Sequence, residues 1–200
     1  MWMPVKRYDI IQWFIDYLGA KTYLEIGIRY GETFNVIQCE KKIGVDLSIP
    51  EEMNMKGILH RMSSDEYFEN HAQKFDVAFI DGNHTFEQSL RDAENCLRYM
   101  NPNGATILHD CNPTKLEQAT PEYIGASPDW CGEVWKTIVT LRTRPELSVL
   151  VFDVDYGVGM VMRKGQETLN FSHEEIESMT YKDLSRNRKK FLNLIECDDE

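Results

Sequence analysis

The stretch that most constrains this chain is Tyr23–Gly31, YLEIGIRYG, together with the acid at Asp46. Tyr23, Leu24 and Ile26 form a short apolar run that stops at Gly27 and Gly31. The following ETFNVIQC then resumes with apolar positions at helical spacing. This reads as a strand, a tight glycine turn and a helix N-terminus, a common place to hold a nucleotide-like ligand. A second strand, KIGVDL over 42–47, carries Asp46 near its end, about twenty residues past the turn, where a carboxylate can bond a ribose diol.

The residues around the turn bear on the kind of nucleotide. A dinucleotide fingerprint wants three glycines so that backbone N–H groups can close on a pyrophosphate. Here Arg29 and Glu32 stand where two of them would be, and Glu25 sits just before the turn. Carboxylates repel a diphosphate, whereas S-adenosylmethionine carries an ammonium and a sulfonium that carboxylates attract. A plain strand–turn–helix without a ligand is the simpler alternative, against which the spacing of Asp46 counts.

Composition narrows the setting. Two hundred residues with 42% hydrophobic content suffice for one sizeable core, so a single domain over 1–200 is expected: an N-terminal helix (1–20), a core (23–163) and C-terminal helices (166–200). The net charge of −11 argues against nucleic acid or anionic membrane as partner. Five cysteines (Cys39, Cys96, Cys111, Cys131 and Cys197) without paired spacing read as free thiols, not a disulfide frame or zinc site. MWMPVKRYDI lacks a signal-peptide apolar region, and no apolar run approaches spanning length, which together suggest a cytoplasmic protein.

Along the chain, a helix over 5–18 ends at Gly19. A short strand, GILHRM over 57–62, precedes Ser63, Ser64 and Asp65, which suit both a helix cap and the edge of an adenine. FDVAFI over 75–80 is a buried strand running into Asp81, Gly82, Asn83 and His84. A helix follows over 85–100, then a turn at 101–104, and a strand over 105–108 running into His109, Asp110, Cys111 and Asn112. Residues 113–132 form a long lid-like connection; Trp130 and Trp135 at its border read as core residues. A helix over 134–142, a hairpin (148–154 and 158–163) and two helices (173–179 and 181–196, with Phe191, Leu192 and Ile195 inward) complete the pattern, ahead of a frayed tail at 198–200. Alternating strands and helices predict an α/β, doubly wound, mostly parallel sheet, with Glu25, Asp46, Ser64, Asp65, Asp81, His84, His109 and Asp110 along its carboxyl edge.

The motifs LEIGIRYGET, IGVDLS, FDVAFIDGNHTFEQSLRDAENCLRYMNPNGATILHD and DYGVGMVMRK resemble those of class I S-adenosylmethionine-dependent methyltransferases, and most specifically the macrolide-sugar and rhamnosyl O-methyltransferase branch. The resemblance implies a Rossmann-like, seven-stranded sheet closed by a C-terminal antiparallel β-hairpin. It implies that Glu25 and Gly27 hold the methionine end of S-adenosylmethionine, Asp46 the ribose, and Ser64 and Asp65 the adenine, with Gly31 and Asp81 also at the cofactor. In metal-dependent members, positions matching Asp81, His109 and Asp110 bind Mg²⁺, and one matching His84 takes the acceptor proton. His109 stands where a carboxylate is common, which favours Mn²⁺ or another imidazole-binding ion over Mg²⁺, unless Asn112 supplies an oxygen instead. A small-molecule hydroxyl compound is the implied acceptor, and a homo-oligomer is left open. Two other classes remain: a nicotinamide-dependent oxidoreductase, disfavoured by Glu25 and the missing glycines, and a catalytically silent binding domain on the same fold.

Overall fold

The computed structural model describes residues 5–52, 55–125 and 129–196. Met1–Pro4, Cys197 and the acidic tail at 198–200 lie outside the described residues. Eight strands are assigned: β1 (Thr22–Ile26), β2 (Lys41–Val45), β3 (Ile58–His60), β4 (Phe75–Ile80), β5 (Met100–Leu108), β6 (Ser148–Phe152), β7 (Val158–Met162) and β8 (Leu194–Ile195). They form one sheet in the order β3-β2-β1-β4-β5-β7-β6-β8. The first five are parallel, and β7 runs antiparallel between β5 and β6. The expected seven strands and terminal hairpin are present. The eighth strand is β8, which adds to β6 in parallel.

The central strands are buried almost throughout because both sheet faces are covered, and successive side chains enter opposite faces. Leu24, Ile26, Ala78 and Ile80 point into a cluster shared with α3 (Phe86–Tyr99), α4 (Val134–Leu141) and α6 (Tyr181–Leu192). Tyr23, Val77, Phe79 and Ile107 point into the other, covered by α1 (Arg7–Leu18) and by the turns around Phe34 and Ile37. The remaining helices are α2 (Ser64–Asn70) and α5 (His173–Ser178). Among the described residues, no helix is long and apolar enough to cross a membrane.

Several elements differ from the sequence expectation. The helix expected after the glycine turn does not form; residues 32–36 are successive turns. The β-branched Thr33, Val36 and Ile37 are weak helix formers, and Lys42 Nζ takes the carbonyls of Phe34 (2.6 Å) and Ile37 (3.0 Å) that a helix would use. The turn at 101–104 lies inside β5 as a bulge, since the pairing jumps from Phe75–Met100 to Val77–Ala105. Ile195 is 42% exposed on β8, while Phe191 and Leu192 are buried as expected. The first helix starts at Arg7, where the side chains of Asp9 and Asp155 accept from the Lys6 and Arg7 amides (2.9 and 3.1 Å).

The parallel ladder continues one rung past each strand end. Gly27 N donates to Val45 O (2.9 Å), Asp46 N to His60 O (3.1 Å), Asp81 N to Ile26 O (2.9 Å) and His109 N to Ile80 O (3.0 Å). Four residues singled out from the sequence are thereby fixed in the backbone of the carboxyl edge. Gly27 is at φ +87°, and a Cβ there would lie 2.0 Å from Asp81 O. Gly27→Ala should therefore cost more than about 3 kcal/mol, since left-handed strain and a backbone clash act together. An unchanged urea midpoint would contradict this.

Candidate active site

A cavity of about 1180 Å³ opens over the carboxyl ends of the strands, at the point where the strand order reverses between β1 and β4. One half is built by β1, β2 and α2. Tyr23 and Glu25 lie two apart on one face of β1, and Tyr23 Oη donates to Glu25 Oε2 at 2.6 Å. Burial pushes the Glu25 carboxyl up to about 8, against the opposing pull of that hydrogen bond. Asp46 sits just past β2, with Oδ2 accepting from Arg29 N (2.8 Å) and Oδ1 from Ser48 N (2.7 Å). Arg29, standing where a glycine was wanted, takes φ +42°, and the bond to Asp46 holds it there. Ser63 caps α2 by accepting from Glu66 N (3.1 Å), while Ser64 and Asp65 accept from Gln88 Nε2 at 3.2 and 3.4 Å.

The other half lies at the ends of β4 and β5. Asp81 and Asp110 approach two imidazoles from the ends of neighbouring strands. His84 Nε2 is 3.4 Å from both Asp81 Oδ1 and Asp110 Oδ2; His109 Nδ1 is 3.4 and 3.3 Å from the same two oxygens. Asp110 is held at φ +59°, an uncommon left-handed conformation for a non-glycine residue. Burial alone would raise the Asp81 pKa; the two histidines reverse that and hold it well below the carboxylate range. Burial likewise opposes protonation of the histidines, but the paired carboxylates raise His84 and lift His109 to about 10.

The lid-like connection sets the His84 tautomer. Its Nδ1 lies 3.0 Å from Trp130 O, a carbonyl that can only accept, so Nδ1 carries the proton and Nε2 faces the carboxylates. The Trp130 indole stacks on the imidazole at 5.1 Å, and Glu133 N donates to His84 O (2.8 Å). Trp130, expected in the core, thus lines the cavity, while Trp135 is buried as expected. Asn112 faces other partners, Asp153 (2.7 Å) and Arg188, and is not part of the cavity wall.

The structure also places residues at the site for which the sequence carried no signal. Arg7, at the start of α1, reaches Asp155 (3.1 Å), Thr33 (3.1 Å) and His109 Nε2 (3.4 Å). Asp155 and Tyr156 lie in the hairpin turn at positive φ, and Gln88 and Asp92 on α3 line the first half of the cavity. The DYG turn signal at 155–157 is the one cue available for the hairpin residues. Nothing in a helical pattern marks Gln88 or Asp92.

A divalent ion fits the donor set. Asp81, His84 and Asp110 each offer one ligand atom, all within 4.8 Å of one another. His109 Nδ1 is buried, lacks a hydrogen-bond partner, and faces the same two oxygens. Mixed carboxylate and imidazole donors suit Mn²⁺, Fe²⁺ or Zn²⁺ better than Mg²⁺.

The sheet order is that of an α/β Rossmann-like methyltransferase fold. Residues 24–111 match a family model described as a methyltransferase domain. Similar solved structures include an O-methyltransferase from Bacillus cereus in complex with S-adenosylhomocysteine, 15% identical, covering 80% of this chain and 82% of that one with a TM-score of 0.57. Another is the S-adenosylhomocysteine-bound methyltransferase PaMTH1 of Podospora anserina (15% identity, 79% and 78% coverage, TM-score 0.57). A third is the O-methyltransferase TomG of Streptomyces achromogenes, involved in tomaymycin synthesis, in complex with S-adenosylmethionine (12%, 80% and 80%, 0.55). At these identities the likeness is one of fold. Among curated proteins, none matches the sequence significantly.

Glu25 gives a test of the site's electrostatics in the ligand-free protein. Its folded pKa lies above the unfolded value of about 4.3, so the native state binds the extra proton between roughly pH 4.3 and 8. This contribution to stability is present at low pH and declines as pH rises through that window, with a slope of up to about 1.4 kcal/mol per pH unit. Glu25→Gln removes the decline. The variant should gain on the natural protein between pH 5 and pH 8 in urea melts; parallel pH profiles would contradict it.

Proposed function

We propose that this protein is an S-adenosylmethionine-dependent methyltransferase that O-methylates a small-molecule hydroxyl. The observation that carries this is the meeting, in one cavity at the switch point, of a carboxylate-lined cofactor half and a carboxylate–imidazole half. In the first half, Glu25 and Gly27 would take the methionine end, Gly31 would shape the turn, Asp46 would bond the ribose hydroxyls, and Ser64 and Asp65 would border the adenine. The cofactor's cations suit a cavity lined by Asp46, Asp65, Asp81 and Asp110, whereas a nicotinamide dinucleotide would bring its pyrophosphate against these acids.

In the second half, Asp81 and Asp110 would hold a divalent ion, with His109 Nδ1, buried and facing both carboxylates, as third ligand. The bound cofactor supplies an electrophilic methyl group, and the ion supplies charge that acidifies the acceptor hydroxyl. His84 Nε2, on the more exposed of the two imidazoles, would accept the hydroxyl proton while Trp130 holds the ring. With the cofactor so bound, the deprotonated acceptor oxygen would take its methyl group, the electron pair of the carbon–sulfur bond leaving on sulfur. The 4.8 Å grouping favours a second assignment in which His84 is itself a ligand. The acceptor class, a sugar or phenol hydroxyl, follows from the sequence resemblance.

The cofactor assignment is tested by calorimetry with S-adenosylhomocysteine. Asp46→Ala should weaken binding by roughly 1.5–3 kcal/mol, the range for hydrogen bonds to a charged group. A folded variant with undiminished affinity would remove Asp46 from the ribose site.

The ion is tested separately. Chelation should abolish methyl transfer yet leave S-adenosylhomocysteine affinity largely intact, and Asp110→Asn should reproduce both effects. Loss of Mn²⁺ affinity in His109→Ala but not in His84→Ala would separate ligand from base. Full activity in chelator would eliminate the ion and leave His84 as a base for ion-free transfer.

A further inference from the structure

Asp92 is the least expected member of the cavity wall. It lies two turns into α3, its residue is 1% exposed, and it lines the cavity beside Ser64, Asp65 and Gln88. Oδ1 accepts from Gln88 Nε2 at 3.0 Å, and Ser64 bonds the same carboxylate. Oδ2 lies over Gly82 at the end of β4, where even a Cβ would stand 3.7 Å away. Among the described residues, Asp92 forms no ion pair within 4.0 Å. A buried carboxylate without a cation is expensive, and a residue serving only to tie α2 to α3 would do so at lower cost as an amide.

The pattern of donors and acceptors suggests what the carboxylate is for. The two hydrogens of the Gln88 amide are shared by three acceptors: Asp92, Ser64 and Asp65. Its own oxygen is occupied by Arg91 Nη2 (2.8 Å). This wall is therefore rich in acceptors, and an ionised carboxylate has about four lone-pair sites, of which Gln88 and Ser64 fill two. The complement is a ligand edge that donates. Adenine presents such an edge through its exocyclic amino group; a 6-oxo purine presents an acceptor in the same place.

Resting on the cofactor reading above, we infer that Asp92 is a specificity-determining residue: it accepts a hydrogen bond from the 6-amino group of the cofactor's purine and rejects a 6-oxo purine. The ionised carboxylate, facing a carbonyl, would be left unsatisfied and repelled.

Binding calorimetry with S-adenosylhomocysteine and its 6-oxo counterpart, S-inosylhomocysteine, tests this without turnover. The natural protein should prefer the amino compound by at least about tenfold, the factor expected for one lost bond to a charged group. Asp92→Asn keeps shape and a bond to Gln88 but presents an amide that can donate, so the preference should fall to near parity or reverse. A purely structural role would weaken both ligands equally. An unchanged preference in folded Asp92→Asn, or the absence of any preference in the natural protein, overturns the inference even if the variant fails to fold. Failure of the natural protein to bind either compound overturns the cofactor reading instead, and this inference with it.

Discussion

The last backbone hydrogen bond of each parallel strand pair is what the rest of the site depends on. Gly27, Asp46, Asp81 and His109 each donate to the neighbouring strand one residue beyond its regular ladder. A side chain at such a position has its Cα fixed by the sheet while its own direction is free to leave the pleat. The close approach of Gly27 to the Asp81 carbonyl, which leaves no room for a Cβ, joins the first and fourth strands at the switch point. Both cavity halves are hung from that junction, so their separation is a property of the sheet and not of loops.

Electrostatics then explains why the halves differ. In the β1–β2 half, Glu25 is buried with only a phenol as hydrogen-bond partner and is pushed toward its neutral form. In the other half the carboxylates share two imidazoles, and Asp81 is held ionised. Glu25 and Asp81, in one cavity, thus arrive at opposite protonation preferences, through burial in one case and paired charge in the other. Arg7 extends the second arrangement outward, tying the start of α1 to Asp155 and His109, so the N-terminal helix closes the cavity by charge as well as by packing.

Much of this was legible in the chain because it depends on local patterns. Phe75–Ile80 reads as a strand from its composition, Gly19 ends α1 in the left-handed conformation its position suggests, and polar clusters fall at strand ends. The misreadings share a cause. Residues 32–39 have helical spacing, yet Lys42 from the next strand captures the carbonyls. Leu194 and Ile195 continue a helical stripe, yet a free sheet edge at β6 makes a strand of them. In both, a partner distant in sequence supplied a better set of hydrogen bonds than the local one.

The sequence by itself determined the α/β class, the order of elements and the set of acids and histidines at the carboxyl edge, since periodicity, turn chemistry and the right-handed crossover rule act over short stretches. Only the tertiary structure decided how those residues face one another. That Trp130 fixes the proton of His84, that Asp92 and Gln88 border the cofactor half, and that Arg7 reaches His109 across 102 positions are outcomes of packing between elements. Such contacts leave no trace in local spacing, because the side chains that make them need no particular neighbours along the chain.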